Sequence, residues 1–215
     1  MDPQAAATSG AGIEKEKVRS TIYDVLVNKV SLQDIILETE LKGLFVAPSN
    51  INLSGAEIEL SSIVGREFIL REALSSVKNE FDYIIVDTPP TLGILTINAM
   101  TACNKIIVPV QTEYYALEGI AILLRTVNLV KNRLNKDIEL RTLLTMYDKR
   151  LKLSEEVAKQ VKSYFNGRMF RTVISRNVRL AEAPSHGKPV AIYDPECAGA
   201  KAYRKLAKEV IELGW

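Results

Sequence analysis

Tyr83-Ile-Ile-Val-Asp87-Thr-Pro-Pro90 constrains the fold of this chain more than any other stretch. A short run of β-branched and aromatic residues reads as a strand buried on both faces of a parallel sheet, and the two prolines forbid the ladder from continuing. Asp87 then stands at a strand's carboxyl end. In open α/β sheets ligands bind at that end, and an Asp there commonly anchors the Mg²⁺ of a nucleotide. An Asp before Pro also serves as a helix cap, so the stretch by itself leaves both roles open.

The rest of the chain alternates in the way such a sheet requires. Ser20 or Thr21 caps a short helix through Asn28, Ser31 caps another through Leu37, and Gly43–Pro48 reads as a strand closed by proline. Ser54 with Glu57 three residues on has the capping-box spacing. Arg66–Lys78 is an amphipathic helix, with Phe68, Ile69, Ala73, Leu74 and Val77 along one side. Beyond Pro90 the pattern predicts a helix over Thr91–Met100, a strand over Lys105–Val110, a helix over Ala116–Arg133 and a strand over Glu139–Met146. A helix over Ser154–Tyr164, a strand over Met169–Ile174 and a helix over Gly199–Leu213 complete it; the last carries Ala202, Leu206, Val210 and Leu213 at three- and four-residue spacing. Strand alternating with helix predicts an α/β fold, a doubly wound, mostly parallel sheet with helices on both faces.

With 215 residues, 47% hydrophobic and 25% charged, one domain with a single core is expected. The first 19 residues, small and polar at the start, read as a loose tail. A formal charge of +2 means that any nucleic-acid surface must be a local patch. Cys103 and Cys197 stand far apart without a CxxC pair, which speaks against a disulfide framework, a zinc ribbon or a thiolate-held cluster and fits a reducing cytoplasm. No apolar run approaches the ~20 residues that span a bilayer. The amino end has neither the basic nor the apolar region of a signal peptide. His186, in a Ser-His-Gly-Lys loop, reads as a surface residue.

Five strings then occur in one order: Asp2-Pro-Gln; the Asp87-Thr-Pro-Pro strand; Pro109-Val-Gln-Thr-Glu-Tyr-Tyr-Ala-Leu-Glu-Gly119; Leu144-Thr-Met-Tyr-Asp148; and Arg176-Asn-Val-Arg-Leu-Ala-Glu-Ala-Pro184. Together they resemble the ParA/Soj family of chromosome- and plasmid-partitioning ATPases, a branch of the deviant Walker-A group that also holds MinD. The resemblance runs from Asp2 to about Glu212. It implies a P-loop NTPase-like domain that binds ATP and Mg²⁺, dimerises on ATP, coats DNA without sequence specificity and answers to a ParB-like partner protein. The implied place is the cytoplasm, at the nucleoid.

The resemblance also assigns roles. Asp2 orients the attacking water, and Asp87 is the Walker-B carboxylate holding Mg²⁺ through water. Thr88 and Pro89 open the switch segment that runs to Gly93, next to the γ-phosphate. Gln111, Glu113 and Tyr114 face the nucleotide-sandwich dimer interface. Met146 and the segment Ser175, Arg176 and Asn177 lie where the base is recognised, and Arg150 and Arg179 match the DNA-binding arginines, with Lys149, Lys152 and Arg176 nearby. Each also has a plainer reading as a loop, cap or solvated charge.

Three departures from the family pattern stand out. The phosphate loop with its two lysines, the first strand, the helix behind the loop and most of the second strand are not found, and no GxxxxGK[ST] occurs anywhere in the chain. The expectation is a fragment whose Asp87 strand has uncovered edges and which does not hydrolyse ATP by itself. Where the family has Ile-Pro-Arg-Asn this chain has Ile174-Ser-Arg-Asn177, and where the family has Asp-Pro-Gln-Gly-Asn it has Asp2-Pro-Gln-Ala-Ala6. Two other readings stay open: a non-enzymatic DNA- or partner-binding homologue, and a MinD-like membrane-associated ATPase. Against the latter, Lys201, Arg204, Lys205 and Lys208 are mixed with Glu209 and Glu212 on the last helix, whereas a membrane helix has a cleaner apolar face.

Overall fold

The computed structural model describes residues 1–113, 116–134 and 138–215, with the side chains of 116–118 left aside. The described residues form two compact units. Residues 1–103 and 184–188 make the first; residues 104–183 and 189–215 make the second.

The first unit contains helices α1 (Ala6–Gly10), α2 (Ile22–Val27), α3 (Leu32–Ile35), α4 (Leu53–Glu59), α5 (Ile69–Ser75) and α6 (Ile94–Ala102). Its two short strands, β1 (Leu37–Glu38) and β2 (Phe45–Val46), pair antiparallel, so the strand expected over Gly43–Pro48 shrinks to its centre. Ile22, Val25, Leu26, Leu32, Ile35, Leu53, Leu60, Leu70, Val77 and Leu95 fill one core. Asn98 is fully buried among them and satisfied, its amide donating to the carbonyls of Arg66 and Ile94 and accepting from the N–H of Leu70.

The capping chemistry falls in a different place from the one expected. Thr21 accepts from the N–H of Tyr23, and its own N–H donates to Asp24, a reciprocal capping box. At the expected Ser54–Glu57 box the helix instead starts at Leu53 without a side-chain cap, and Ser31 caps nothing through its side chain. Spacing alone does not reveal where the first helical turn begins.

The amino-terminal segment is packed, not loose. Thr8 is buried and its hydroxyl accepts from the N–H of Ser49, whose own hydroxyl donates to the carbonyl of Asp2. At Gly12, φ is +85° and an added Cβ would stand 2.9 Å from the Gly187 carbonyl oxygen. Small residues permit this close backbone approach, so what reads as tail composition is packing composition.

The stretch from Tyr83 to Val86 is not in a sheet. Ile85 is 91% exposed, and Tyr83 and Ile84 are also exposed. A strand exists only through hydrogen bonds to a neighbour, and no described segment pairs with this one. Among the described residues, neither the strand nor the burial expected from its apolar character is present.

The second unit is built on two parallel strands, β3 (Lys105–Gln111) and β4 (Glu139–Thr145), in continuous register from Lys105 opposite Glu139 to Gln111 opposite Thr145. Between them runs α7 (Ala116–Arg133), and after β4 come α8 (Lys152–Tyr164), α9 (Val178–Glu182), α10 (Val190–Tyr193) and α11 (Ala198–Glu212). The strand expected over Met169–Ile174 is reduced to two parallel bridges, Thr142 with Met169 and Tyr147 with Ser175. Its middle is drawn off the ladder: the N–H groups of Arg171 and Thr172 donate instead to the Glu209 carboxylate at 2.6 and 2.9 Å.

Leu143, Phe170, Ile174, Leu206 and Trp215 form the core beneath this segment, with the Trp215 and Phe170 rings edge to face at 5.6 Å. Leu213, expected in the apolar stripe of the last helix, is exposed; α11 ends at Glu212 and the following turn delivers Trp215 in its place.

Candidate nucleotide and DNA-binding site

The predicted site residues divide between the two units. In the first, the Met1 ammonium and Asp87 influence each other's protonation, and the charge of Asp2 acts on both. Partial burial pushes the Asp87 carboxyl above its ordinary range; the Met1 ammonium pulls it back, the charge of Asp2 pushes it further, and the N–H of Thr88 donates to it. Burial likewise lowers the Met1 ammonium, opposed by Asp87 and Asp2. Asp2 is held by its backbone, and its carboxylate accepts from the N–H of Gln4 at 2.9 Å. Thr88 and Pro89 follow Asp87, both half-buried and outside regular secondary structure.

Ala5, three residues after Asp2, has φ +54° and is buried. It stands where the family pattern quoted above has Gly. The departure at Asp2-Pro-Gln-Ala-Ala6 therefore has a backbone consequence: a side chain is held in the left-handed region.

In the second unit the carboxyl ends of three parallel segments converge. β3 ends at Gln111, β4 ends at Thr145, and the third segment meets them where Tyr147 donates to the carbonyl of Ile174 and accepts from the N–H of Arg176. Thr112 closes the end of the pair: its N–H donates to the Thr145 carbonyl, and its buried hydroxyl contacts the Met146 carbonyl and the Ser154 hydroxyl. Met146 has φ +53°, an uncommon conformation for a residue with a long side chain, and its side chain is exposed at this edge. Strain of this kind persists where the surroundings dictate it, and it gathers at functional sites.

Ser175 and Arg176 are exposed beside Met146's strand end, and Arg176 forms an ion pair with Glu113 at 3.2 Å. Gln111 is exposed at the same end; Tyr114 lies outside the described residues. Asn177 caps α9, its carboxamide oxygen accepting from the N–H of Arg179 at 2.9 Å.

The candidate DNA-binding arginines are not free cations. Arg150 makes a two-bonded pair with Asp148, while Arg179 pairs with Glu182 at 2.8 Å and Asp194 at 3.3 Å. Asp148 is held well below the usual carboxylate range by hydrogen bonds from Arg150.

Sequence reasoning missed Glu209 as a support of this site. It belongs to α11 and is only 6% exposed, yet it fixes the segment that leads to Ser175. Its position was readable, because 209 is three residues beyond Leu206 and therefore on the apolar stripe.

The chemistry of these groups suits a magnesium nucleotide in two respects. An apolar thioether beside serine and amide groups at the ends of parallel strands offers a flat base both a face and hydrogen-bonding partners. Asp87 beside Asp2 offers oxygen ligands of the type Mg²⁺ takes through its water shell. Among the described residues no three His, Cys, Asp or Glu side chains converge on a metal position, and a magnesium ion held by Asp87 would take the rest of its shell from water and phosphate.

A family model described as an AAA domain matches residues 1–140. The chain is 53% identical over 215 residues to the sporulation initiation inhibitor protein Soj of Bacillus subtilis, covering 100% of this chain and 85% of that protein. It is 47% identical over 213 residues to the chromosome partitioning protein ParA of Caulobacter vibrioides, covering 98% and 80%. Among solved structures it resembles cobyrinic acid a,c-diamide synthase from Mycobacterium smegmatis with bound ADP and magnesium, at a TM-score of 0.82 and 33% identity over 96% of this chain and 77% of the other. With the parallel strands and the motif order already described, these likenesses establish that the chain belongs to the ParA/Soj family of partitioning ATPases and has the P-loop NTPase-like α/β fold.

Proposed function

We propose that this chain contributes an adenine-nucleotide site and a DNA-binding face to a partitioning machine. The observation that carries the reading is the convergence of three parallel segment ends at Met146, Tyr147 and Ser175. In this reading Met146, Ser175, Arg176 and Asn177 receive the base. Asp87 holds Mg²⁺ through water, Thr88 and Pro89 sense the phosphate end, and Asp2 accepts a proton from, and orients, the attacking water. A bound magnesium nucleotide supplies the phosphoryl group and the counter-charge for these carboxylates. Arg150 and Arg179 take DNA phosphates, giving sequence-independent and salt-sensitive binding. Gln111, Glu113 and Tyr114 belong to a homodimer interface, and a ParB-like protein is the partner.

The place of action is the cytoplasm at the nucleoid, a reading that rests on the likeness to the partitioning proteins. The 215-residue polypeptide by itself does not turn over ATP, because no phosphate-binding GxxxxGK[ST] occurs in it. Phosphate release from ATP measured with purified chain tests this. Release at background level is expected; turnover that Asp87→Ala abolishes would contradict it.

A second reading, DNA or partner binding without nucleotide, is favoured by the exposed Arg150 side chain, which is 83% accessible. Retention on DNA without ATP that Arg150→Glu and Arg179→Glu remove would select this reading over the nucleotide-dependent one.

A further inference from the structure

The pair between Asp148 and Arg150 is set by a two-bonded geometry. Arg150 Nε donates to one Asp148 oxygen at 2.9 Å, and a terminal guanidinium nitrogen donates to the other at 2.6 Å. The backbone N–H of Arg150 donates to the same carboxylate at 3.0 Å, which fixes its orientation. The pair is unequal in exposure: the Asp148 side chain is 19% accessible and that of Arg150 83%. A guanidinium fork carrying two parallel bonds is the arrangement by which arginine grips either a carboxylate or a phosphate, and one fork edge serves one such group at a time.

The turn carrying this pair is tied to the third parallel segment, through the Tyr147 N–H to the Ile174 carbonyl and the Arg176 N–H to the Tyr147 carbonyl. The charge of Arg176, itself paired with Glu113, adds a smaller share to the positive field on Asp148. Asp148 thus reduces the charge that this edge presents, and it occupies the donor edge that a phosphate would use.

We propose that Asp148 is an internal competitor for DNA phosphate at Arg150 and so sets the affinity of the DNA-binding face. The proposal rests on the reading of Arg150 as a DNA contact. Removing the carboxylate charge while keeping the shape frees the fork and adds one net positive charge beside it.

The test is binding of a fluorescent random-sequence duplex to the full chain at several salt concentrations, for wild type, Asp148→Asn, Asp148→Ser and Arg150→Ala. Circular dichroism establishes that each variant is folded, and the serine variant serves if the asparagine variant is not. The expected result is that Asp148→Asn or Asp148→Ser binds about three- to tenfold more tightly at low salt, with a logarithmic salt slope steeper by up to about 0.9, the value for one additional phosphate contact. Unchanged affinity and slope in the folded Asp148 variants, with Arg150→Ala still weakening binding, overturns the proposal and leaves the DNA reading standing. Absence of binding by every protein, wild type included, both with and without Mg·ATP, overturns both.

Discussion

Glu209 on α11 accepts the backbone N–H of Thr172 at 2.9 Å while buried at 6% exposure. With the matching bond from the Arg171 N–H at 2.6 Å, one carboxylate replaces the ladder partners that this segment lacks in its middle. Glu209→Ala leaves two backbone donors without their acceptor. A loss of about 1–3 kcal/mol in unfolding free energy is expected, read from urea denaturation. Glu209→Gln, which keeps one acceptor oxygen, should lose less.

The same carboxylate has a defined pH signature. Burial alone would raise its pKa, but the two N–H donors and the Arg171 guanidinium outweigh burial and hold it below the ordinary glutamate range. A carboxyl depressed in the folded state contributes stability above its unfolded pKa and loses it as pH falls through the folded value. Melting temperature of the wild type should therefore fall below about pH 4.5, and part of that fall should be missing in Glu209→Gln. Identical acid profiles would contradict the assignment.

Ala5 at φ +54° is a side chain in a conformation that glycine adopts freely. Ala5→Gly removes the backbone strain and loses only a methyl group. Stabilisation of up to about 1 kcal/mol is expected from thermal or urea unfolding; a clear destabilisation would show that the methyl's packing outweighs the strain.

Met146 at φ +53° poses the same question at the candidate base site. Met146→Gly should change stability by no more than about 1 kcal/mol in either direction, because relief of the backbone strain is offset by loss of a side chain that is only 36% exposed. The same change removes the thioether from the proposed base contact. A protein of nearly unchanged stability that binds nucleotide less well is the expected combination.

Ile85 is 91% exposed in a segment that reads as a strand. Such an edge invites pairing between chains. Ile85→Lys should lower light scattering of concentrated protein without lowering the melting temperature. A drop of several degrees in the melting temperature would mean that Ile85 is buried in solution.

The parallel strands β3 and β4, the long helices and the Thr21 helix start were legible because each has its own local period or cap. The motif order Asp87, Gln111, Met146, Arg176 revealed the family for the same reason: each string is local. What could not be read depends on partners far along the chain. The Tyr83–Val86 run looks buried because its composition anticipates neighbours, and burial is a property of those neighbours. The place of Glu209 on the apolar stripe signalled its burial, but its partners are the N–H groups of Arg171 and Thr172, which no side-chain pattern discloses. The strain at Ala5 required a backbone angle, although the family's glycine at that place was the available signal. The pairing of Arg150 with Asp148 was within reach, since the two are separated by one residue.

Whether the strand ends around Met146 form an adenine-nucleotide site is decided by ¹³C-methyl spectra of the methionines. The chain has four methionines, and Met100, buried in α6, is an internal control for global change. On titrating Mg·ADP to about 10 mM, roughly ten times a millimolar dissociation constant, a saturable shift of the Met146 methyl is expected while Met100 stays in place. A Met146 signal that does not move in a folded protein across that range would contradict the assignment of the base site.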